Sequence, residues 1–310
     1  MYNIENINHT VFELADFLEY KSIINDSNTW SLSDLRAFLS APDDEIDIKG
    51  VEEGDDKVIK KLQEALGRCS IRQSEYAIYP FFANQNSISC QLTLEDNNVF
   101  YIFLLLANRL DMKKERVQRC LDATELFERL CCLVAKSYLG EHAHCELFGT
   151  SIKESFEEKV KKILTKLHIK GEFKNPLGST GLQKDGGIDL IAWIPFNDNK
   201  DSQLIALGQC KTGSNWEELM KKVAFFQNYS TLQPFVEPEY MFFVAEDFGM
   251  HKWEERSRSC GIIFDRIRIM EFLPVNIKEI DAPLFKDVKS WVEGAIVYLK
   301  ENQAANDKRY

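Results

Sequence analysis

Residues 184–216, KDGGIDLIAWIPFNDNKDSQLIALGQCKTGSNW, decide the fold of this chain. Two apolar runs, 188–196 and 203–210, flank a polar segment, NDNKDS, that is rich in turn-forming residues. Apolar runs of this length on either side of such a break predict two neighbouring β-strands joined by a turn.

Three polar side chains stand at the ends of these two predicted strands. Asp189 opens the first strand directly after a glycine pair, and Gln209 and Lys211 close the second. Because side chains alternate between the two faces of a strand, Gln209 and Lys211 point the same way and Cys210 points the other way. The pairing of the strands then predicts an acid, an amide and an ammonium group around one point.

Such a trio suits the cleavage of a phosphodiester bond. Carboxylate and carbonyl oxygens are hard ligands for Mg²⁺, which keeps several waters and takes only one or two protein carboxylates. A lysine beside the metal can orient or deprotonate an attacking water and offset the charge that develops on a phosphate. The trio therefore predicts a site with both a metal and a lysine.

The order GGID, about twenty residues, then QCK resembles the motif of the PD-(D/E)xK nuclease superfamily, and it is most similar to the branch related to the Mrr restriction endonucleases. The resemblance covers residues 148–273 and includes an upstream helix, SFEEKVKKILTKL, whose Phe156-Glu157 matches the Phe-Glu pair of the family. It implies Glu157 as the acid of the first motif, expected at the helix edge that faces the sheet, and Asp189 as the main metal ligand. It implies Gln209 as the second ligand and Lys211 as the catalytic lysine, with Mg²⁺ or Mn²⁺ as the cofactor.

Two positions depart from the usual family pattern. Ile188 stands where the family has a proline before the aspartate, and Gln209 replaces a second acid. Both departures occur in this branch, so the resemblance still implies the nuclease fold. The amide lowers the negative charge available to a metal, which leaves open both an active nuclease and a degenerate fold that only binds.

The charge of the chain limits how it can bind nucleic acid. Its 310 residues carry a formal net charge of −11, so the chain as a whole is no general binder of polyanions. Between positions 153 and 185, however, eight lysines stand against five acidic residues. The lysines predicted to contact nucleic acid are Lys161, Lys162, Lys166 and Lys184. The alternative for such a run is the solvated face of an ordinary helix.

Cysteine usage and the apolar runs bear on the compartment. The eight cysteines include no CxxC pair, and the N-terminal residues do not have the pattern of a signal peptide. The longest apolar run, 99–107, is far too short to span a bilayer. We therefore expect a cytoplasmic protein with reduced thiols and no membrane partner. The segment EHAHC at 141–145 is expected to be a surface turn rather than a zinc site.

The patterns divide the chain into two predicted domains. Residues 1–145 carry mostly helical patterns, above all at 99–110 and 122–139, and no catalytic motif. Residues 146–310 follow the order strand, strand, helix, strand, helix, strand, in which 262–273 is the last strand. The predicted fold class is α+β or α/β. A helical N-terminal domain for regulation, specificity or assembly precedes a restriction-endonuclease-like core with a central mixed sheet flanked by helices.

The function expected from these residues and from the resemblance is that of a Mg²⁺-dependent DNA endonuclease, and the resemblance implies prokaryotic restriction or anti-phage defence. Two other readings stay open: a nuclease-fold subunit that binds nucleic acid, a partner ATPase or a sensor without cutting, and a nuclease that cleaves RNA. One such site cuts one strand per event, so we expect a homo-oligomer or a larger complex. The chain has no Walker motif, so any NTP-driven step would need a partner chain.

Overall fold

The computed structural model describes residues 10–34, 37, 51–91, 93–108, 115–148, 154–176, 186–213, 216–219 and 221–307, and their side chains except at 51–58, 251 and 303–307. The helices are α1 Val11–Ile24, α2 Val51–Glu75, α3 Asn98–Ala107, α4 Ala123–Leu139, α5 Phe156–Lys166, α6 Trp216–Leu219, α7 Phe225–Tyr229, α8 Met250–Cys260, α9 Arg266–Glu271, α10 Ile277–Ile280 and α11 Ala282–Asp307. The strands are β1 Thr29–Ser31, β2 Phe81–Ala83, β3 Ser87–Cys90, β4 Val117–Gln118, β5 Leu121–Asp122, β6 His144–Leu147, β7 Leu190–Ile194, β8 Leu204–Lys211, β9 Glu239–Val244 and β10 Ile262–Phe264.

The chain forms two compact units, one of residues 1–121 with 286–310 and the other of residues 122–285. The expected domain boundary near residue 145 therefore differs from the observed division, which assigns residues 122–145 to the second unit and residues 286–310 to the first. Helix α4 belongs to the second unit because its buried side packs against β6, β7 and β8. An apolar stripe indicates that a helix is covered on one side, but it does not indicate which sheet covers it.

The first unit is built on buried helices and a small sheet. Helix α1 packs against α2, and β1, β3 and β2 form an antiparallel sheet in that order. Helix α3 is buried along the whole run from Val99 to Ala107, as its apolar sequence predicts. The fully buried Arg72 pairs with Asp16 at 2.8 Å and with Glu19 at 2.5 Å, so its charge is compensated inside the core.

The second unit contains a five-stranded mixed sheet in the order β10-β9-β8-β7-β6. Strands β6, β7 and β8 are antiparallel, whereas β8, β9 and β10 are parallel, so β8 is the strand at which the direction of pairing changes. The predicted strand pair is confirmed, with Leu190 opposite Gly208 in the register of β7 and β8. One face is covered by α5 and α7, through side chains such as Phe156, Ile163 and Phe225.

Helix α5 begins directly after Ser155, which caps it. The Ser155 hydroxyl accepts a hydrogen bond from the backbone nitrogen of Glu158, and the Glu158 carboxylate accepts one from the backbone nitrogen of Ser155. This reciprocal capping box satisfies two amide donors of the first turn. The buried Phe156, Val160 and Ile163 then face the sheet at helical spacing.

Two predictions for the second unit are wrong in part. The expected last strand, 262–273, ends at Phe264, because the Asp265 carboxylate accepts a hydrogen bond from the backbone nitrogen of Arg268 at 2.9 Å and caps α9. The alternation of apolar and basic residues in this segment is typical of a strand, although the segment forms a helix. The expected turn at 141–145 is confirmed only at 141 and 142, since His144 opens edge strand β6.

No helix in the described part of the chain combines the length and the apolar character that crossing a membrane requires.

Candidate active site

The backbone of Asp189 is held from two sides. Its nitrogen donates to the carbonyl oxygen of Gly208 at 2.8 Å, and its own carbonyl oxygen accepts from the nitrogen of Phe148 at 2.7 Å. These bonds extend the pairing of β7 with β8 and with the segment after β6 by one residue. Asp189 therefore lies opposite Gln209, as the strand pair predicts.

The carboxylate of Asp189 is buried, with 8% of the residue exposed. Its Oδ2 accepts from the backbone nitrogen of Cys210 at 2.7 Å and from Lys211 Nζ at 3.2 Å. Within the described ranges, Oδ1 accepts no hydrogen bond. The ammonium of Lys211 has no other partner there and is about a quarter exposed. One carboxylate oxygen and an accessible ammonium group therefore remain available to a ligand.

The side chain of Gln209 is oriented by a single contact. Its Nε2 donates to the carbonyl oxygen of Gly187, which accepts only, so the orientation of the amide is defined. Its Oε1 is buried and has no hydrogen-bond partner in the described structure. An unpaired buried polar atom costs about 1–3 kcal/mol, so a natural protein that keeps one usually has a use for it.

The glycine pair before Asp189 brings the Gly187 carbonyl to Gln209. Gly186 and Gly187 adopt left-handed φ values of +63° and +83°. A Cβ at Gly186 would lie 2.9 Å from the ring of Tyr229, and one at Gly187 would lie 3.2 Å from Val223. The neighbouring glycine-rich segment, 177–185, falls outside the described residues, and Lys184 with it.

The glutamate of the first motif was expected to face the sheet, but it does not. Glu157 lies in the first turn of α5 with half of its side chain exposed, and its Oε1 pairs with Lys161 Nζ at 2.6 Å. Because Phe156 and Val160 take the buried side of the helix, Glu157 is turned to solvent. No described hydrogen bond or ion pair joins it to Asp189, so its catalytic role stays a prediction.

Three of the four lysines expected to contact nucleic acid are each paired with a glutamate. Lys161 binds Glu157, Lys162 binds Glu154 and Lys166 binds Glu146. The hydrogen bond that Lys161 donates to Glu157 raises the pKa of Lys161, and the one that Lys162 donates to Glu154 raises the pKa of Lys162. The excess of lysines in the sequence therefore does not form a surface of uncompensated positive charge. Exposed pairs of this kind are weak and exchange readily, so the lysines are still able to bind phosphate.

A buried acidic group at the same end of the sheet has no counterpart among the sequence predictions. Asp265 follows β10 and Glu246 lies just after β9, both at the carboxyl ends of strands parallel to β8. Burial, together with the charge of Asp247, raises the pKa of Asp265 to about 7. The Glu246 carboxylate accepts from Trp216 Nε1 at 2.6 Å. An aspartate directly after an apolar run, as in IIFD, is the signal that would have identified Asp265.

The thiol next to the site is part of the core. Burial raises the pKa of Cys210 well above its ordinary value, and the neighbouring Cys131 of α4 raises it further. Cys210 thus faces away from Gln209 and Lys211, as the alternation of the strand predicts. A thiol whose pKa is raised by burial is a poor nucleophile.

The site offers few donor groups to a metal ion. The described residues contain no group of three or more His, Cys, Asp or Glu side chains placed to hold a metal ion. Mg²⁺ needs fewer, since it is often bound through one or two protein oxygens with water at the remaining positions. Asp189 Oδ1 and the unpaired Gln209 Oε1 are hard oxygen donors on facing residues and fit that chemistry.

Comparisons of the chain with protein-family models, with curated proteins and with solved structures find no match. The family resemblance therefore rests on the motif residues described above.

Proposed function

We propose that this chain is a Mg²⁺-dependent endonuclease that hydrolyses phosphodiester bonds in DNA. The observation that carries the proposal is the unpaired, buried Oε1 of Gln209 opposite an aspartate whose other carboxylate oxygen is occupied by Cys210 and Lys211. The ammonium group of Lys211 contacts the carboxylate of Asp189, and the amide of Gln209 lies on the residue opposite Asp189 at the ends of two paired strands. This arrangement is the one that the motif predicts for metal-assisted phosphodiester cleavage.

Each side chain has a definite part in the proposed reaction. Asp189 and Gln209 would hold the metal, which supplies Lewis-acid activation of a water and of the phosphate. The backbone nitrogen of Cys210 orients the Asp189 carboxylate, and Gly187 orients the Gln209 amide. The Lys211 ammonium, 3.2 Å from Asp189 Oδ2, is placed to bind the phosphate or the attacking water.

The proposal extends to the partners of the site. DNA is the substrate, and we propose a homo-oligomer because cutting both strands of a duplex is simplest with two sites related by symmetry. Restriction or anti-phage defence is the setting that the resemblance implies, with a partner ATPase or sensor as a further candidate. Light scattering on the purified chain measures the oligomeric state, and a monomer that makes double-strand breaks at first order in enzyme would contradict this part.

A second candidate is a nuclease-fold subunit that binds nucleic acid, or a partner protein, without cutting. Two observations favour it. Gln209 replaces an acid and so lowers the charge at the site, and Glu157 is turned to solvent. A site with one carboxylate binds Mg²⁺ more weakly than a site with two or three.

Cleavage of supercoiled plasmid separates the two candidates. We expect wild-type protein to nick plasmid with Mg²⁺ or Mn²⁺ and not with EDTA, and Asp189→Asn to be inactive. The matched control is Asp198→Asn, which changes an exposed aspartate in the turn between the same two strands. Wild-type protein that binds DNA without nicking it under either metal would support the second candidate. Faster cleavage of an RNA of matched sequence would move the substrate from DNA to RNA.

A further inference from the structure

We propose that Lys221 is a phosphate-binding residue of this site and contacts the substrate strand beside the scissile phosphodiester. The inference rests on the proposed function and adds a substrate-binding residue that lies outside the PD-(D/E)xK motif.

Lys221 and Gln209 line the same crevice. Its other walls include Ile188 beside Asp189, and Val223 and Tyr240. Gln209 contributes the face of β8 that also carries Lys211, since the two residues are separated by one position in the strand. The crevice therefore opens beside the atoms that would hold the metal.

The charge of Lys221 is not compensated within the described structure. Its side chain is exposed and forms no ion pair or hydrogen bond with any described residue. Lys161, Lys162 and Lys166, in contrast, are each paired with a glutamate. The adjacent Lys222 lies over the ring of Tyr240, 5.5 Å from its centroid. The two neighbouring lysines therefore differ in surroundings, and Lys221 alone lines the crevice beside Gln209.

The backbone near Lys221 is fixed to the site. The carbonyl oxygen of Val223 accepts from Tyr240 Oη at 3.0 Å and from the nitrogen of Phe225 at 2.7 Å. The side chain of Val223 packs against Gly187, where an added Cβ would lie 3.2 Å away. Gly187 in turn holds the amide of Gln209. Lys221 is thus two residues from a segment that is anchored to the proposed metal ligand.

The opening of the crevice suits a phosphate. The crevice itself has no room for a water-sized molecule, so a phosphate would bind at its opening, where the ammonium group of Lys221 is exposed. Lys211 already pairs with the carboxylate of Asp189. Its single positive charge therefore does not also balance a nucleic-acid strand that carries one negative charge per nucleotide. A second ammonium at Lys221 supplies that balance for the phosphate next to the one that reacts. The expected ligand is therefore the phosphate backbone of a nucleic acid. Its recognition depends on charge and not on base sequence.

The test measures DNA binding separately from cleavage. Fluorescence anisotropy with a labelled duplex, in the Asp189→Asn background and across a range of salt concentrations, gives both the affinity and its salt dependence. We expect Lys221→Gln to weaken binding and to reduce the slope of log K against log salt by about 0.9, the share of one phosphate contact on duplex DNA. Lys222→Gln, with the same change of charge one residue away, is expected to leave both values at those of the background. Lys221→Arg is expected to restore them.

Cleavage kinetics supply the second readout. If the wild-type chain, with Asp189 intact, cuts plasmid, Lys221→Gln in that chain is expected to raise KM and to leave kcat nearly unchanged. The reason is that the lost contact is made equally in the ground state and the transition state. Equal binding and equal kinetics of Lys221→Gln and Lys222→Gln would overturn the inference and leave the nuclease proposal standing. Weaker DNA binding by Lys221→Gln in a chain that does not cut would overturn the nuclease proposal and leave the phosphate site standing. Absence of DNA and RNA binding by the wild-type chain would overturn both.

Discussion

The side-chain amide of Gln209 donates to the carbonyl oxygen of Gly187, and this contact leaves Oε1 of the same amide buried without a partner. The two atoms of one amide thus have opposite situations. The nitrogen stabilises the turn before Asp189, and the oxygen adds an unfavourable free energy that a cation would remove.

Gln209→Glu is expected to exchange stability for metal affinity. A carboxylate cannot donate to the Gly187 carbonyl, so two oxygens would face each other and the metal-free chain should unfold at a lower temperature. The added charge should strengthen Mg²⁺ binding, so Mg²⁺ should raise the unfolding midpoint more in the variant than in the wild type. Thermal unfolding with and without Mg²⁺ measures both effects. Equal shifts in the two proteins would exclude Gln209 as a ligand.

Lys211→Ala is expected to lower the cleavage rate by about two to three orders of magnitude, the usual effect of removing one group that stabilises transition-state charge. The side chain lies at the end of β8 and is partly exposed, so its removal should open no cavity in the core. The rate of plasmid nicking measures the effect, and the unfolding midpoint checks the fold. Lys200→Ala removes an exposed lysine that also pairs with an aspartate and serves as the control. Nicking by Lys211→Ala at the wild-type rate would show that the motif is wrongly assigned.

Glu146→Gln with Glu154→Gln is expected to strengthen DNA binding at low salt. These glutamates neutralise Lys166 and Lys162, so their removal leaves two ammonium groups free to bind phosphate. Each new phosphate contact should steepen the salt dependence of the affinity by about 0.9 in slope. Anisotropy titrations at several salt concentrations measure this change. An unaltered slope would place the DNA-binding surface away from α5.

Asp265 is expected to make a contribution to the stability of the chain that falls as pH rises towards neutrality. The pKa of Asp265 is about 7 in the folded chain, and that of an exposed aspartate is about 3.9. The folded state therefore holds the proton more tightly, and this contribution is complete below about pH 4 and is lost as the pH rises through about 7. Arg266 and Arg268 oppose the shift without cancelling it.

Denaturant unfolding between pH 4.5 and 8 measures that dependence, whose slope for one group is at most about 1.4 kcal/mol per pH unit. Asp265→Asn should flatten the curve, because an amide resembles the protonated acid and still accepts the capping hydrogen bond from Arg268. Asp26→Asn alters a fully exposed aspartate and should leave the slope as it is. If the two variants keep the same slope, another group sets the pH dependence.

The parts of the site that a local pattern defines could be predicted from the sequence. Two apolar runs around a polar break predicted β7 and β8, and the alternation of a strand placed Gln209 and Lys211 together with Cys210 behind them. These features depend on neighbours in the chain and on one hairpin. Helix α3 was predictable for the same reason, since its run of apolar residues is buried on all sides.

The parts that depend on distant partners could not be predicted in this way. The side of α5 that carries Glu157 is decided by which residues pack on the sheet, and Phe156 and Val160 take that place. The sequence count of eight lysines against five acids was correct, but side-chain geometry pairs three of the lysines with glutamates. Helix α9 replaced an expected strand because a single carboxylate caps it.

The close approach of β8 to β7 at Gly208 has a consequence for how this chain tolerates mutation. A Cβ at that position would lie 2.4 Å from Leu190 Cδ1, so nearly any replacement forces the buried Leu190 side chain out of its place in the core. A library of single substitutions selected for folding alone should therefore lose variants at Gly208 and at the Gly186-Gly187 turn, while it keeps most variants at Lys211. Selection for activity should, in addition, remove most variants at the charged and amide positions of the site, including Lys211. The difference between the two tolerance maps would separate the residues that shape the site from those that act in it, without any prior assignment of roles.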